Sequence, residues 1–184
     1  MNKDLLKNRY HYLNLSRKVF DDDLHFMYLS SKKELNFLSN KKVLFTGGCG
    51  FIGYYFYHLI SYWNKKHKNK KILYTILDNT RKKPNWIDKS KIKFFNYDIT
   101  KIKDKFFQRF DVIIHGASIA SPSYYRKEPI NTMKANILGL WKILESLKKY
   151  NKDKILLFFS SSEIYGNPSK KFIPTSENYN GDVS

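Results

Sequence analysis

The chain predicts an α/β fold, a doubly wound parallel sheet with helices on both faces, and three observations carry that prediction. Short apolar runs alternate with helical stretches from residue 42 onward, a glycine-rich turn joins the first run to the first helix, and an acid closes the second run. In order, the expected strands are 43–46, 72–77, 93–97, 111–115 and 154–160. Amphipathic stretches at 51–63 and 129–150 are the helices expected between them. Residues 1–40 stand apart as a helical extension, in which Asp21, Asp22 and Asp23 can cap a short helix and Leu35, Phe37 and Leu38 follow at mixed spacing. Its apolar residues, among them Phe26, Met27 and Leu29, need a surface to cover, on this domain or on a partner subunit.

At 184 residues and 42% hydrophobic content, the chain fits one domain with a filled core. The longest apolar runs, 155–159 and 112–114, fall far short of the roughly 20 residues of a membrane helix, so no membrane span is expected. The N-terminus carries charges rather than an apolar leader, which suits a cytoplasmic protein. Cys49 is the only cysteine, which excludes an internal disulfide. It sits inside the glycine turn, where any small residue fits, and reads as structural rather than nucleophilic. No metal is expected. A net charge of +18 raises nucleic acid as a partner. Position argues against it: the densest basic run, Lys65, Lys66, His67, Lys68, Lys70 and Lys71, joins a helix to the next strand, at the sheet edge opposite the ligand-binding one.

Thr46-Gly47-Gly48-Cys49-Gly50-Phe51-Ile52-Gly53 follows the first strand and opens the first helix. Gly47 permits the tight turn, Gly50 lets the backbone approach a pyrophosphate, and Gly53 lets the helix pack on the strand. The phosphates then sit at the helix N-terminus, by Phe51 and Ile52, among N–H groups without partners. Glycines also simply end strands, so the loop is informative because a strand precedes it and a helix follows. The second strand ends at Asp78-Asn79, where an acid can accept hydrogen bonds from the adenosine ribose hydroxyls or serve only as a turn former. Carboxylate repulsion of a 2′-phosphate points to NAD, while Arg81 close by leaves NADP open. Residues 41–184 are thus expected to form a Rossmann-type domain that binds a dinucleotide.

Three further motifs narrow the reading. His115-Gly116-Ala117-Ser118 follows the fourth strand, Asn136 lies in the next helix, and Ser160-Ser161-Ser162-Glu163-Ile164-Tyr165-Gly166 follows the fifth. In this order they resemble the extended short-chain dehydrogenase/reductases that act as nucleotide-sugar epimerases, dehydratases and decarboxylases. The segment with Ala120-Ser121-Pro122, Tyr125, Pro129, Thr132, Asn136 and Gly139 is most similar to UDP-glucuronate decarboxylases, as are Asp78-Asn79 and Ser162-Glu163. The resemblance runs from about residue 41 to the end. It implies that Asp98 and Ile99 flank the adenine, that Ala117, Ser118 and Ala120 pass near the pyrophosphate and nicotinamide ribose, and that Asn136 and Ser160 support the cofactor. It further implies that Ser161 meets the sugar 4-hydroxyl, that Ser162 and Glu163 lie beside C5 and its carboxylate, and that Tyr125 and Ser121 contact substrate. Read as residues alone, Ser161 and Ser162 also suit a strand-end turn, and Glu163 a solvated acid at a helix start.

The implied chemistry is a redox relay on a nucleotide sugar such as UDP-glucuronate. NAD accepts hydride from C4, and the resulting ketone is the electron sink that lets C5 lose CO₂. The family draws its base from a Tyr-x-x-x-Lys pair one helix further on. The sequence departs from this pattern: Tyr179 is followed at the required spacing by Val183, and the pairs Tyr28/Lys32, Tyr62/Lys66, Tyr97/Lys101 and Tyr150/Lys154 all precede the fifth strand. The 184 residues are therefore expected to be a fragment or truncated product, without the C-terminal substrate domain and inactive alone. A dTDP-glucose 4,6-dehydratase or 4-epimerase relative is the competing enzyme. A dinucleotide-binding module without turnover is the competing class, and the resemblance allows a homodimer in the full-length form.

Overall fold

A computed structural model describes residues 3–80, 82–88, 90–150 and 153–182, with only the backbone described for residues 3–14. Two N-terminal helices, α1 (Lys3–Ser30) and α2 (Lys32–Leu38), precede β1 (Lys42–Thr46), α3 (Phe51–Lys66), β2 (Leu73–Asp78) and β3 (Lys93–Asn96). After two 3₁₀ turns come β4 (Val112–His115), α4 (Pro122–Lys127), α5 (Pro129–Met133), a π-helical turn (Lys134–Leu138), α6 (Gly139–Tyr150) and β5 (Ile155–Phe158). The sheet is five-stranded in the order β3-β2-β1-β4-β5, every pairing is parallel, and the order reverses between β1 and β4. That is the Rossmann arrangement, with its ligand crevice expected at the switch point.

Strand alternation divides the core in two. Val43, Phe45, Tyr74, Ile76, Val112 and Ile114 pack against Tyr57, Ile60 and Trp63 of α3. Leu44, Leu77 and Ile113 point the other way, against Ile143 of α6, Phe107 of the second 3₁₀ turn and Phe110 just after it. Nearly every side chain of β1, β2 and β4 is buried, as in a sheet covered on both faces. β5 is an edge strand in which Ile155, Leu157 and Phe158 remain exposed.

The extension differs from the expected short, Asp-capped helix. Asp21, Asp22 and Asp23 lie inside α1, which continues through them to Ser30. Their capping preference is overridden because the next turns carry Leu24 and Tyr28 into the core beside α3 and Leu35 of α2. The surface covered is thus this same domain: Met27 also packs there, while Phe26 stays 70% exposed. The basic run is tied into the same region. The Tyr28 hydroxyl meets His67 Nε2 at 3.2 Å, His67 stacks on Trp63 at 3.9 Å, and Lys66 Nζ lies 4.9 Å from the centre of the Tyr62 ring. No described helix is long and apolar enough to cross a membrane.

Candidate functional site

The turn between β1 and α3 has little freedom. Gly47 has φ +72°, and an added Cβ would lie 2.7 Å from both the Ala117 Cα and the Gly116 oxygen, so the turn is wedged against the loop after β4. At Gly53 an added Cβ would come within 2.2 Å of the Gly48 oxygen, so the helix is pressed against the glycine turn itself rather than, as expected, against the strand. Gly50 is different: φ −75° and ψ −179° are ordinary extended backbone, and an added Cβ meets only the Gly47 oxygen, at 3.4 Å. Its missing side chain therefore leaves open space in the cleft. Gly50 also N-caps α3 with no side-chain acceptor, and the first-turn N–H groups have no intrahelical partner. Together these make a cradle for an anion at a helix N-terminus.

Asp78 closes β2 and grips this turn. Its Oδ2 accepts the Cys49 N–H and its Oδ1 accepts the Thr80 N–H, both at 2.9 Å. Each oxygen keeps a further lone pair for a hydroxyl donor. Burial, with the Asp78 charge beside it, pushes the Cys49 thiol up to about 12, so Cys49 is no nucleophile near neutral pH. Arg81, weighed as a partner for a 2′-phosphate, lies outside the described residues.

The loop after β4 is anchored by a contact that the motif reading did not foresee. His115 is buried, and its Nδ1 lies 2.7 Å from the Thr46 hydroxyl at the end of β1. The Ala117 N–H donates to that same hydroxyl at 3.4 Å. The Thr46 hydroxyl thus joins the His115 ring and the Ala117 backbone in one network, with lone pairs enough for both partners. Burial lowers the His115 pKa to about 4, which keeps the ring neutral and this network intact.

A cavity of about 930 Å³ runs along these strand ends, comparable with the upper range, up to about 1,000 Å³, of cofactor clefts. Gly47, Gly50, Phe51, Ile52 and Gly53 line one side; Asp78, Asn79, Asp98 and Ile99 line the part over β2 and β3. Ala117, Ser118 and Ala120 line it from the β4 loop. Asp98 is fixed by accepting the Thr100 N–H and hydroxyl, both at 2.9 Å. The residues present fit a dinucleotide: open backbone for phosphate, an anchored acid for ribose, and a cleft of adequate size.

Other expected residues stand outside the cavity wall. Asn136 is half-buried in the π-helical turn, next to Ala135, which does reach the wall. Ser121, its hydroxyl 3.1 Å from that of Ser123, and Tyr125 are exposed at α4. Ser160, Ser161, Ser162 and Glu163 are exposed beyond Phe159, which lines the cleft. The Ser161 hydroxyl accepts the Glu163 N–H at 3.2 Å and so caps the 3₁₀ turn Ser162–Tyr165. The cleft also includes residues that motif spacing missed. Lys134 is the only cation among the described lining residues, on one helical stripe with Asn131 and Ala135, and it opens the π-helical turn. Tyr97, whose Lys101 partner spacing carried no role, lines the cleft near β3.

Comparison with known proteins agrees with this geometry. The NAD dependent epimerase/dehydratase family matches residues 43–182. UDP-glucuronic acid decarboxylase 6 of Arabidopsis thaliana is 35% identical over 153 residues, covering 80% of this chain and 41% of that protein. A dTDP-D-glucose 4,6-dehydratase of Dictyostelium discoideum is 33% identical over 136 residues, covering 68% of this chain and 30% of that protein. The chain thus spans well under half the length of the curated relatives it matches. The solved UDP-N-acetylglucosamine 4-epimerase from Methanobrevibacter ruminantium M1 aligns with a TM-score of 0.60 at 27% identity, over 78% of this chain and 44% of that one. A glycine turn, an anchored acid and a five-stranded Rossmann sheet therefore accompany a family match over most of the sequence, and the chain belongs to the NAD dependent epimerase/dehydratase family.

Proposed function

We propose that the chain is the dinucleotide-binding half of a cytoplasmic enzyme that acts at C4 of a nucleotide sugar, with UDP-glucuronate as substrate and NAD as cofactor. The observation that carries the cofactor part is the open approach at Gly50, beside an uncapped helix N-terminus and the doubly anchored Asp78. When bound, NAD supplies the hydride acceptor. Backbone N–H groups at the start of α3 hold the pyrophosphate. Asp78 orients the adenosine ribose and repels a 2′-phosphate, and Ala117 and Ser118 form the wall on the nicotinamide side.

Similarity to UDP-glucuronic acid decarboxylases supports the substrate part. On this reading Ser161 holds the 4-hydroxyl, Ser162 and Glu163 attend the C5 carboxylate, and Tyr125 and Ser121 steady the sugar. The 33% identity to a dTDP-D-glucose 4,6-dehydratase favours that activity as the second reading.

Calorimetric titration separates these. NAD⁺ is expected to saturate the chain about tenfold or more tighter than NADP⁺, the scale of one unfavourable charge contact. In the NAD-loaded chain, UDP-glucuronate is expected to bind ahead of dTDP-glucose, with no NADH absorbance, because no Tyr-x-x-x-Lys pair follows Glu163 in these 184 residues. Preference for dTDP-glucose would shift the assignment to the dehydratase.

A further inference from the structure

α1 spans 28 residues, about 42 Å at about 1.5 Å per residue. Among its described side chains the first to pack on the domain is Phe20, and every residue from 15 to 19 is exposed. Phe20, Leu24, Met27 and Tyr28 cover α3, where the Phe20 ring lies 5.0 Å from that of His58 and the Tyr28 ring 5.1 Å from that of Tyr62. The opposite side of the helix is left without cover from its own domain.

That side is apolar. It carries Leu15, Val19, Phe26 and Leu29, each between 48% and 70% exposed. With Asp22 between Val19 and Phe26, the steps along it are four, three, four and three residues. At about 100° per residue these five share a stripe roughly 80° wide, the seam along which one helix pairs with another. In the sequence, Leu5 and Tyr12 precede Val19 at regular intervals of seven. Asp22 is the only charged residue among those described within the stripe, and no described cation pairs with it. The matching surface is therefore a helix that brings both an apolar stripe and a cation level with Asp22.

We propose that a second copy of this chain supplies it, the two α1 helices running antiparallel about a two-fold axis between residues 20 and 21. Charge decides the direction. Along α1, Arg17 and Lys18 precede Asp21, Asp22 and Asp23. A parallel pair in register would bring these aspartates of both copies together, where like charges repel. The antiparallel pair sets the basic turn of each helix level with the acidic turn of the other. Leu15 then lies level with Phe26 of the second copy, and Val19 with its Asp22. Lys18 leans to the same flank of the stripe as Asp22 and stands one residue from it in height across the pair, so each Lys18 covers the carboxylate of the other copy. Two-fold symmetry makes every such contact twice. Because α3 occupies the opposite side of α1, the pairing leaves the domain's own contacts in place.

The test is sedimentation equilibrium of the full chain over a range of concentrations. A monomer–dimer equilibrium is expected, and Phe26→Gln, at an exposed position, should weaken it about tenfold or more. Lys18→Asp and Asp22→Lys should each weaken it about fivefold, since each sets like charges across the pair. Mixing these two variants should restore the dimer, because each then supplies the charge that the other lacks, whereas the clash within each helix remains. Trp141→Gln, on the exposed face of α6, should change the equilibrium by less than about twofold. A monomer at every concentration, a dimer unchanged by Phe26→Gln, a dimer lost in Trp141→Gln, or no recovery on mixing would each overturn the proposal.

Discussion

The two ends of the cleft are held by different amounts of structure. At the β1–β2 end, Asp78 accepts two backbone N–H groups, Gly47 and Gly53 are pressed against neighbouring backbone, and the Thr46–His115 contact ties in the β4 loop. At the β5 end, the Ser161 hydroxyl accepts the Glu163 N–H, the carbonyls of both bond only within the same short turn, to Ile164 and Gly166, and Leu157 and Phe158 of the edge strand are 47% and 42% exposed. The first end is self-supporting, so its residues carry fold and cofactor role together. The second is a short capped turn at the surface, so changes there should touch function and leave stability alone.

Substitutions can break that contrast, and Gly53→Ala should do the most damage. A Cβ 2.2 Å from the Gly48 oxygen forces the start of α3 away from the glycine turn, and a loss of about 3 kcal/mol or more is expected in urea unfolding. Next comes pH. The unfolded His115 takes up a proton near 6.5 but the folded one only near 4, so stability should rise with pH across that window, by about 3 kcal/mol in total. Urea midpoints measured from pH 4 to 7 should show this slope, and His115→Gln should flatten it. Asp78→Asn keeps the shape but turns one of the two accepting oxygens into an NH₂ donor, so one anchoring bond is lost and one N–H left unpaired, for an expected cost of about 1–3 kcal/mol together with loss of NAD affinity. Smallest of all, Ser161→Ala and Glu163→Ala should shift stability by less than about 0.5 kcal/mol. A large loss from either would erase the difference between the two ends.

The sequence was most readable where geometry is local. Strand alternation, the glycine turn and the acid after β2 needed only period and spacing, and β1, α3 and Asp78 stand where they were expected. Strand ends were less legible: β5 covers Ile155–Phe158 rather than 154–160, because the residues beyond enter the turn capped by Ser161. Asp21 to Asp23 suggested a helix start, but tertiary burial of Leu24 and Tyr28 carries α1 straight through them. The Thr46–His115 contact joins residues 69 positions apart, and Lys134 reaches the cleft only through the packing of its helix, so spacing alone showed neither. For Ser161, Ser162 and Glu163, resemblance was the only guide, since the local chemistry fits an ordinary turn equally well.

The central claim is that the strand-end cleft binds a dinucleotide through the glycine turn, and calorimetry of NAD⁺ with the wild-type chain and Gly50→Asp tests it most directly. Because a side chain at Gly50 meets open space rather than protein, the variant should fold as well as wild type and yet lose saturable NAD⁺ binding. Equal NAD⁺ affinity in the two proteins, or no binding by folded wild type, would contradict the account.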